Sequence, residues 1–258
     1  MRRRLAFLLV VAGGSIVATA LFAPSTQDPA YHRFADTRTF LGVPNAWDVL
    51  SNAGFLLTGV LGLAVLFAEG GARSRSAFES PRERTPWAVG FTGVALTAFG
   101  SAYYHLAPDD ARLFWDRLPM TVVFGSLLAA VIAERIGERA GRLLLVPLVL
   151  SGMASAVYWH VTGELRPYIF AQFFPAIAIP LLFVLFPARY TCTGYWAGLL
   201  GWYALAKLVE TLDRPIWDLG HILGGHTLKH LAAAAGTWWL VMMLKKRRPV
   251  APEPAAAI

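Results

Sequence analysis

Eight apolar stretches run along this chain, each about 20 residues long and therefore long enough to cross the hydrocarbon core of a bilayer. They lie near residues 5–23, 48–68, 86–106, 113–133, 142–161, 168–186, 193–212 and 226–244. Hydrophobic residues make up 56% of the chain and charged residues 15%, whereas an ordinary globular protein carries about 25% charged residues. A surface of this composition would not stay in water. The sequence therefore predicts an all-α membrane protein.

The last seven stretches are joined mostly by short linkers, so residues 48–244 are predicted to form a seven-transmembrane helix bundle. An additional N-terminal hydrophobic helix, residues 1–23, begins with three arginines and ends before Pro24, a pattern that fits a retained helix and a cleaved signal peptide equally well. Residues 24–47 form an extracytoplasmic segment, and residues 245–258 form a basic tail rich in Pro and Ala. The single Cys192 permits no intrachain disulfide.

The basic residues set the orientation, because short cytoplasmic loops carry an excess of Lys and Arg. With a cytoplasmic N-terminus, the inner side holds Arg2, Arg3, Arg4, Arg73, Arg75, Arg82, Arg84, Arg135, Arg139, Arg142, Arg189, Lys245, Lys246, Arg247 and Arg248. The outer side holds the smaller set of Arg33, Arg38, Arg112, Arg117, Arg166 and Arg214. The net charge of +7 is therefore interpreted as a topology signal, and nucleic-acid binding is excluded. For the basic run at 245–248, recognition of anionic lipid is the alternative.

Under this orientation the polar residues of the apolar stretches gather near their outer ends. They are Ser101, His105, Asp116, His160, Lys207, Glu210, His226, Lys229 and His230. An ionisable side chain within a bilayer costs at least about 2.5 kcal/mol, so these residues need partners or a function. The inner halves, such as residues 56–68, 122–133 and 232–244, carry no charged residue. The pattern predicts a pocket that opens outward, without a polar path across the membrane.

The third and fourth stretches carry the first group of chemically active residues. Ser101 and His105 are four residues apart, so they share one face of a helix. Pro108 and Asp109 supply a turn and a helix N-cap, which predicts an antiparallel hairpin. Asp116 then descends about as far into the membrane as Ser101, so the side chains of Ser101, His105 and Asp116 are predicted to meet.

The last stretch carries the second group, His226 and His230. Their spacing of four residues presents two imidazoles on one helix face, as in many zinc sites. A hydrogen-bonded histidine pair at a helix interface is the alternative. His105 lies at similar depth and brings the number of histidines to three, which is the protein-ligand count of a catalytic zinc site with an open fourth position.

At these residues the chain resembles the alkaline ceramidase family, within the CREST superfamily that also includes adiponectin-receptor-like and haemolysin III-like proteins. The specific matches are Ser101-x-x-x-His105, Asp116 eleven residues later, and His226-x-x-x-His230. Weaker matches are Trp47-Asp48-Val49-Leu50-Ser51-Asn52 and Ala206-Lys207-x-x-Glu210-x-x-Asp213. The resemblance therefore extends over most of the chain from Asp36 to His230.

The resemblance implies a seven-helix bundle in which His105, His226 and His230 hold a zinc ion, and hydrolysis of the amide bond of ceramide-type lipids taken from the bilayer. Zinc would lower the pKa of its water ligand toward about 7 and polarise the scissile carbonyl. Asp116 would carry a proton from that water to the leaving amine. Ser101 would donate to the developing oxyanion, or would orient Asp116.

The chain departs from the family in two places. Eukaryotic members carry an acidic calcium-binding segment before the first core helix, and here only Asp36, Asn45 and Asp48 could supply such oxygen ligands, although Ca²⁺ usually takes about six to eight. A calcium site at these three residues is a second metal prediction. The extra N-terminal segment implies a bacterial-type member in the inner membrane, with both termini cytoplasmic and the active site near the periplasmic face.

The remaining polar residues have structural interpretations. His160 is interpreted as part of an interfacial aromatic belt, with a fourth metal ligand as the alternative. His221 is predicted at the mouth of the pocket. Lys207 and Glu210 are three residues apart and are predicted to neutralise each other, with a catalytic lysine as the alternative. Lys229 is predicted to extend outward to the interface.

The function predicted from these observations is that of a zinc-dependent intramembrane lipid amidase, whose partners are the bilayer and an N-acylated long-chain amine. A zinc-stabilised, receptor-like or sensor protein with a structural metal is the alternative. A transporter is a third class, against which the charge-free inner halves argue. The sequence identifies no protein partner.

Overall fold

The structure, a computed structural model, describes residues 1–68 and 77–250. Within these residues the chain is all-α, with ten α-helices and two isolated β-bridges. The predicted all-α class is therefore confirmed. The basic residues Arg73 and Arg75 and the tail residues 251–258 lie outside the described part of the chain.

The long helices fall on the predicted apolar stretches. In chain order the helices are α1 (Arg2–Leu21), α2 (Ala46–Leu50), α3 (Ala53–Phe67), α4 (Arg84–Leu106), α5 (Asp110–Arg135), α6 (Glu138–Thr162), α7 (Arg166–Leu185), α8 (Gly194–Thr211), α9 (Asp213–Asp218) and α10 (Gly225–Lys246). Short 3-10 helices at Pro29–His32 and Pro81–Glu83 precede α2 and α4.

Five helical segments of the described chain are long and apolar enough to cross a bilayer, namely α1, Ala46–Phe67 (α2 with α3), α5, α6 and α7. The helices α4, α8 and α10 are similarly long, but Gly, Thr, Ser, aromatic and charged residues interrupt their apolar runs. These three helices also carry most of the polar residues of the outer ends. The protein is thus a helical protein of membrane character, and the count of seven spans stays a prediction.

The helices of the bundle pack in a sequence of close neighbours. α4 packs against α3 and α5, α6 packs against α5, and α10 packs against α3 and α8. Small residues allow this approach, since a Cβ added at Gly59 would lie 2.6 Å from the Ala95 nitrogen. α7 and α8 instead meet through long side chains, and Gln172 donates to the Tyr203 hydroxyl at 3.2 Å. A cavity lies among α4, α5, α7, α8 and α10.

The N-terminal helix α1 packs along α7, and none of its residues is buried. Arg166 holds its C-terminal end by donating to the carbonyls of Ala20 at 3.1 Å and Phe22 at 2.5 Å. Glu164 accepts two hydrogen bonds from the Arg166 side chain, at 3.0 and 2.9 Å. These hydrogen bonds, together with that from the Arg166 backbone, lower the pKa of Glu164 to about 2.

The two ends of the bundle differ. At one end, an ion-paired cluster is formed by Glu83, Glu134, Arg189, Tyr190 and Arg247. Arg247 is 2% exposed, pairs with Glu134 and donates to the Ala77 carbonyl at 3.0 Å. The directions of α4, α5 and α10 place the predicted site residues at the other end. The bundle is therefore filled at the first end, and the chemistry-bearing residues lie at the second.

Candidate metal centre

His105, His226 and His230 form a buried cluster at that second end. Their ring centroids are 4.8 Å (His105–His226), 4.9 Å (His105–His230) and 5.0 Å (His226–His230) apart. One nitrogen from each ring lies within 4.8 Å of the others. Among the described residues, this is the one group of three or more His, Cys, Asp or Glu side chains that could share an ion. The chain thus holds a cluster that could bind a metal ion, while zinc as its identity stays a prediction.

The start of α10 is positioned by Asp213. Its Oδ1 accepts a hydrogen bond from the backbone N–H of His226 at 2.9 Å, and its Oδ2 accepts from that of Ala35 at 2.8 Å. A carboxylate is favourable here because the first N–H groups of a helix lack intrahelical partners and carry partial positive charge. At the preceding residue, Gly225, an added Cβ would lie 2.1 Å from the Val209 carbonyl oxygen. Gly225 therefore lets α10 begin close against α8 and sets the position of His226.

Ser51 determines which ring nitrogen of His230 carries the proton. The Ser51 hydroxyl lies 3.1 Å from the Asp48 carbonyl oxygen and 2.8 Å from Nδ1 of His230. A carbonyl can only accept, so Ser51 donates to it and accepts from the Nδ1–H of His230. The Nε2 lone pair of His230 is then available to a metal. Partners of this kind commonly orient metal-binding histidines.

His105 and His226 also have ring nitrogens that could bind a cation. Both ring nitrogens of His105 are buried, and neither has a hydrogen-bond partner within the described residues. Such a buried, unpaired imidazole is costly unless a ligand occupies it. Nε2 of His226 accepts a hydrogen bond from the Lys229 ammonium at 2.7 Å, so this nitrogen is unprotonated and faces a positive group.

Lys229 is a member of the site, and the prediction that it extends outward is wrong. Its side chain is 15% exposed. Besides His226, it contacts Glu210 at 3.0 Å, and Glu210 also pairs with Lys207 at 2.8 Å. The predicted Lys207–Glu210 pair is therefore confirmed, with Lys229 as an additional partner. Lys229 follows His226 by three residues and so shares its helix face, a spacing from which its inward position could have been predicted.

Ser101 and Asp116 lie together as the predicted hairpin requires, whereas His105, the third residue of that prediction, forms no side-chain hydrogen bond with either of them in the described part of the chain. The two side chains lie close together, both are buried, and both line one cavity. The backbones of α4 and α5 approach closely here because residue 100 is a glycine. A Cβ added at Gly100 would lie 2.0 Å from the Trp115 carbonyl oxygen. Pro119 has no N–H to donate to this carbonyl, four residues earlier, so the carbonyl is free of its usual helical partner. Gly100 and Pro119 thus bring Asp116 against α4.

A cavity of about 200 Å³ connects these residues. Its polar lining includes Ser101, Asp116, Lys229 and His230, and each contributing helix adds apolar residues further along. Those apolar residues include Val94, Phe124, Leu127, Ile179 and Leu199. The cavity is therefore polar at one end and apolar at the other, as the binding site of an amphiphile would be. His230 is the histidine that lines it.

The segment before α2 covers the site, which sequence periodicity gave no means to predict. Phe34 packs on His105 and His226 with ring centroids 4.7 and 4.4 Å away. Tyr31 lines the cavity and donates to Glu210 at 3.2 Å. This segment has no extended helix, so only its aromatic residues signalled a packed role.

The predicted calcium ligands have other partners. Both carboxylate oxygens of Asp36 accept hydrogen bonds from Arg38, at 2.8 and 2.7 Å. Asn45 donates to the His105 carbonyl at 2.9 Å, and Asp48 accepts from the Thr227 hydroxyl at 2.6 Å. Asn45 thus supports the position of His105, and Asp48 supports that of α10. Calcium binding gains no geometric support from these contacts and stays a prediction.

The two other histidines considered from the sequence lie outside the cluster. His160 is exposed and its ring contacts Phe114 at 4.7 Å, which agrees with its interpretation as part of an aromatic belt. His221 is also exposed and contacts Trp217 at 5.1 Å.

The chain matches no protein-family model, and a search of curated proteins finds no match.

Proposed function

We propose that this chain is a zinc-dependent intramembrane lipid amidase of the alkaline ceramidase type. It would hydrolyse the N-acyl bond of ceramide-like lipids to a fatty acid and a free long-chain amine. The observation that carries the proposal is the placement of three buried histidines near Ser101 and Asp116, which line the polar end of a cavity whose other end is apolar.

The donor set fits zinc, because three imidazoles leave one coordination position open, as in catalytic zinc sites. His105, His226 and His230 would hold the ion. Bound there, zinc supplies Lewis acidity, which lowers the pKa of water and polarises an amide carbonyl. Lys229 would turn from His226 toward Glu210, which it already contacts.

Asp116 transfers the proton in this proposal. As a carboxylate it accepts a proton from the attacking water, whose oxygen forms a bond to the acyl carbon. As the carbon–nitrogen bond breaks, Asp116 delivers that proton to the leaving amine. Ser101 lies beside Asp116, where its hydroxyl would orient the carboxylate or donate to the developing oxyanion.

In the cell, we place the protein in the bacterial inner membrane with both termini cytoplasmic and the histidines near the periplasmic face. The distribution of Lys and Arg supports this orientation.

Substitutions can distinguish metal binding by the histidines from proton transfer by Asp116. Purified protein should contain about one zinc per chain and release fatty acid from N-acyl lipids, detected by mass spectrometry, with chelator abolishing the activity. His226→Ala should lose most of the metal and the activity. Asp116→Asn should keep the metal, because Asp116 is not among the three ligands, and should lose at least about 100-fold in kcat, the lower range for general acid–base groups. An active Asp116→Asn enzyme would remove Asp116 from the mechanism.

A structural metal is the second candidate function, and the burial of the site favours it. His105 and His226 do not line the cavity and pack against Phe34 instead. X-ray absorption of the zinc protein distinguishes the two, because a structural zinc usually has four protein ligands. A zinc ion with three nitrogen ligands and one exchangeable oxygen ligand, as from water, would support the amidase.

A further inference from the structure

Arg117 is a buried cation at the polar end of the cavity, next to the proposed proton carrier. Its side chain lines the cavity, and the residue is 6% exposed. The guanidinium carbon lies over the rings of Trp159 at 4.2 Å, Tyr168 at 4.7 Å and Tyr31 at 5.7 Å. Three aromatic rings thus surround the guanidinium.

The hydrogen bonds of Arg117 are incomplete. Its NH2 group donates to the Oε1 of Gln27. Its NH1 group is buried and has no hydrogen-bond partner in residues 1–68 and 77–250. A buried donor of this kind is costly when unpaired, and more so when it is charged.

The charge of Arg117 is also not neutralised by a direct ion pair. No carboxylate of the described chain forms a salt bridge with it. Aromatic faces attract a cation but do not neutralise it, and buried charges are normally paired.

The wider cavity shares this excess of positive charge. The cations Arg117, Lys207 and Lys229 line it together with only two carboxylates, those of Asp116 and Glu210. Glu210 is already shared by the two lysines. An arginine presents its donors in a planar fork that matches a carboxylate or a phosphate.

We propose that Arg117 binds an oxyanion on the polar end of the substrate, so that the enzyme prefers N-acyl lipids with an acidic group close to the scissile amide. This inference rests on the proposed function and narrows its substrate class to acidic lipids, such as N-acyl amino acids. Arg117 and Asp116 both line the polar end of the cavity, so one small head group would present its acidic group to Arg117 and its amide bond to Asp116.

Two lipids that differ in one group test the proposal. N-oleoylglycine carries a carboxylate where N-oleoylethanolamine carries a hydroxymethyl group, and hydrolysis of either releases oleate. We expect wild-type protein to have a kcat/KM at least tenfold higher for the acidic lipid. Arg117→Gln should lower the ratio of the two kcat/KM values at least tenfold, and Arg117→Lys, which keeps the charge without the fork, should restore part of it.

Arg112 provides a matched control on the same helix. It lies over Tyr103 at 5.3 Å and donates to the Ala107 carbonyl at 2.7 Å, outside the cavity lining. Arg112→Gln should leave the ratio unchanged, because it removes the same charge without touching the cavity. Equal ratios in wild-type, Arg117→Gln and Arg112→Gln proteins would overturn the inference while leaving the amidase in place.

Measurements of lipid binding test the role of Arg117 independently of the proposed hydrolysis. Chelator-treated protein, titrated with each lipid in detergent micelles by calorimetry, should bind N-oleoylglycine at least tenfold more tightly than N-oleoylethanolamine, and Arg117→Gln should remove that difference. This binding result, together with no hydrolysis of either lipid by untreated protein supplied with zinc, would reject the amidase and retain the acidic-lipid site. Displacement of N-oleoylglycine by equimolar acetate or phosphate would reject the lipid as the source of the anion.

Discussion

At the scale of single residues, the Ser51 hydroxyl determines which nitrogen of His230 is free. Because Ser51 donates to the Asp48 carbonyl, it can only accept from Nδ1–H of His230. Ser51→Ala should allow the imidazole to turn or change tautomer. We expect zinc affinity to fall by about 10- to 100-fold, the usual cost of losing such a partner, measured by competition with a chromophoric chelator.

Ser151 serves as the control for that substitution. It is an exposed residue of α6 whose hydroxyl donates to the Leu148 carbonyl within its own helix, at 3.0 Å. Ser151→Ala should leave zinc affinity unchanged. If Ser51→Ala bound zinc as tightly as wild type, the tautomer assigned to His230 would be wrong.

At the scale of helices, the contact between α4 and α5 depends on Gly100. A Cβ there would meet the Trp115 carbonyl oxygen at 2.0 Å, and backbone atoms cannot move aside as a flexible side chain can. Gly100→Ala should therefore force the helices apart and lower the free energy of unfolding by about 1–3 kcal/mol, as overpacking does. It should also move Ser101 away from Asp116 and lower the hydrolytic rate.

Gly201 in α8 provides the comparison, because nothing lies within 4 Å of its added Cβ. Gly201→Ala should change stability by no more than about 1 kcal/mol, in the stabilising direction, since alanine favours helix. Thermal unfolding in detergent would measure both variants. Equal melting temperatures for the two would show that the α4–α5 contact tolerates a methyl group.

The sequence predicted the helices and the meeting of Ser101 with Asp116 because both follow from helical periodicity and a short turn. It did not predict what depends on helix rotation and on irregular segments. Lys229 lies on the face shared with His226, yet its length suggested a path to the interface. Arg117 was assigned to the outer loops as a topology signal, whereas it lies in the cavity. Phe34 covers the histidines from a segment without periodicity.

At the scale of the whole molecule, the Arg166–Glu164 pair joins the end of α1 to the start of α7. The pKa of Glu164 is about 2, below its ordinary value of 4.5, because Arg166 donates to its carboxylate. The ionised form is thus the stabilised one, so its contribution is fully present above about pH 4.5 and is lost as the pH falls through about 2.

The melting temperatures of wild-type protein and Glu164→Gln can therefore be compared between pH 2 and pH 7. Wild type should melt higher than the variant near neutral pH, and the difference should shrink steadily below pH 4.5. A difference that stays constant down to pH 2 would mean that the charge of Glu164 contributes nothing to the fold.

One end of the bundle is occupied by the ion-paired cluster of Glu83, Glu134, Arg189, Tyr190 and Arg247, which limits how lipid could enter and leave the cavity. It closes that end of the bundle, so a molecule in the cavity would enter and leave through the half of the bundle that holds the histidines. Under the amidase proposal, fatty acid and amine would both return to the leaflet that supplied the lipid. A lipid in the opposite leaflet would have to flip first, and turnover in asymmetric vesicles would then be limited by flipping.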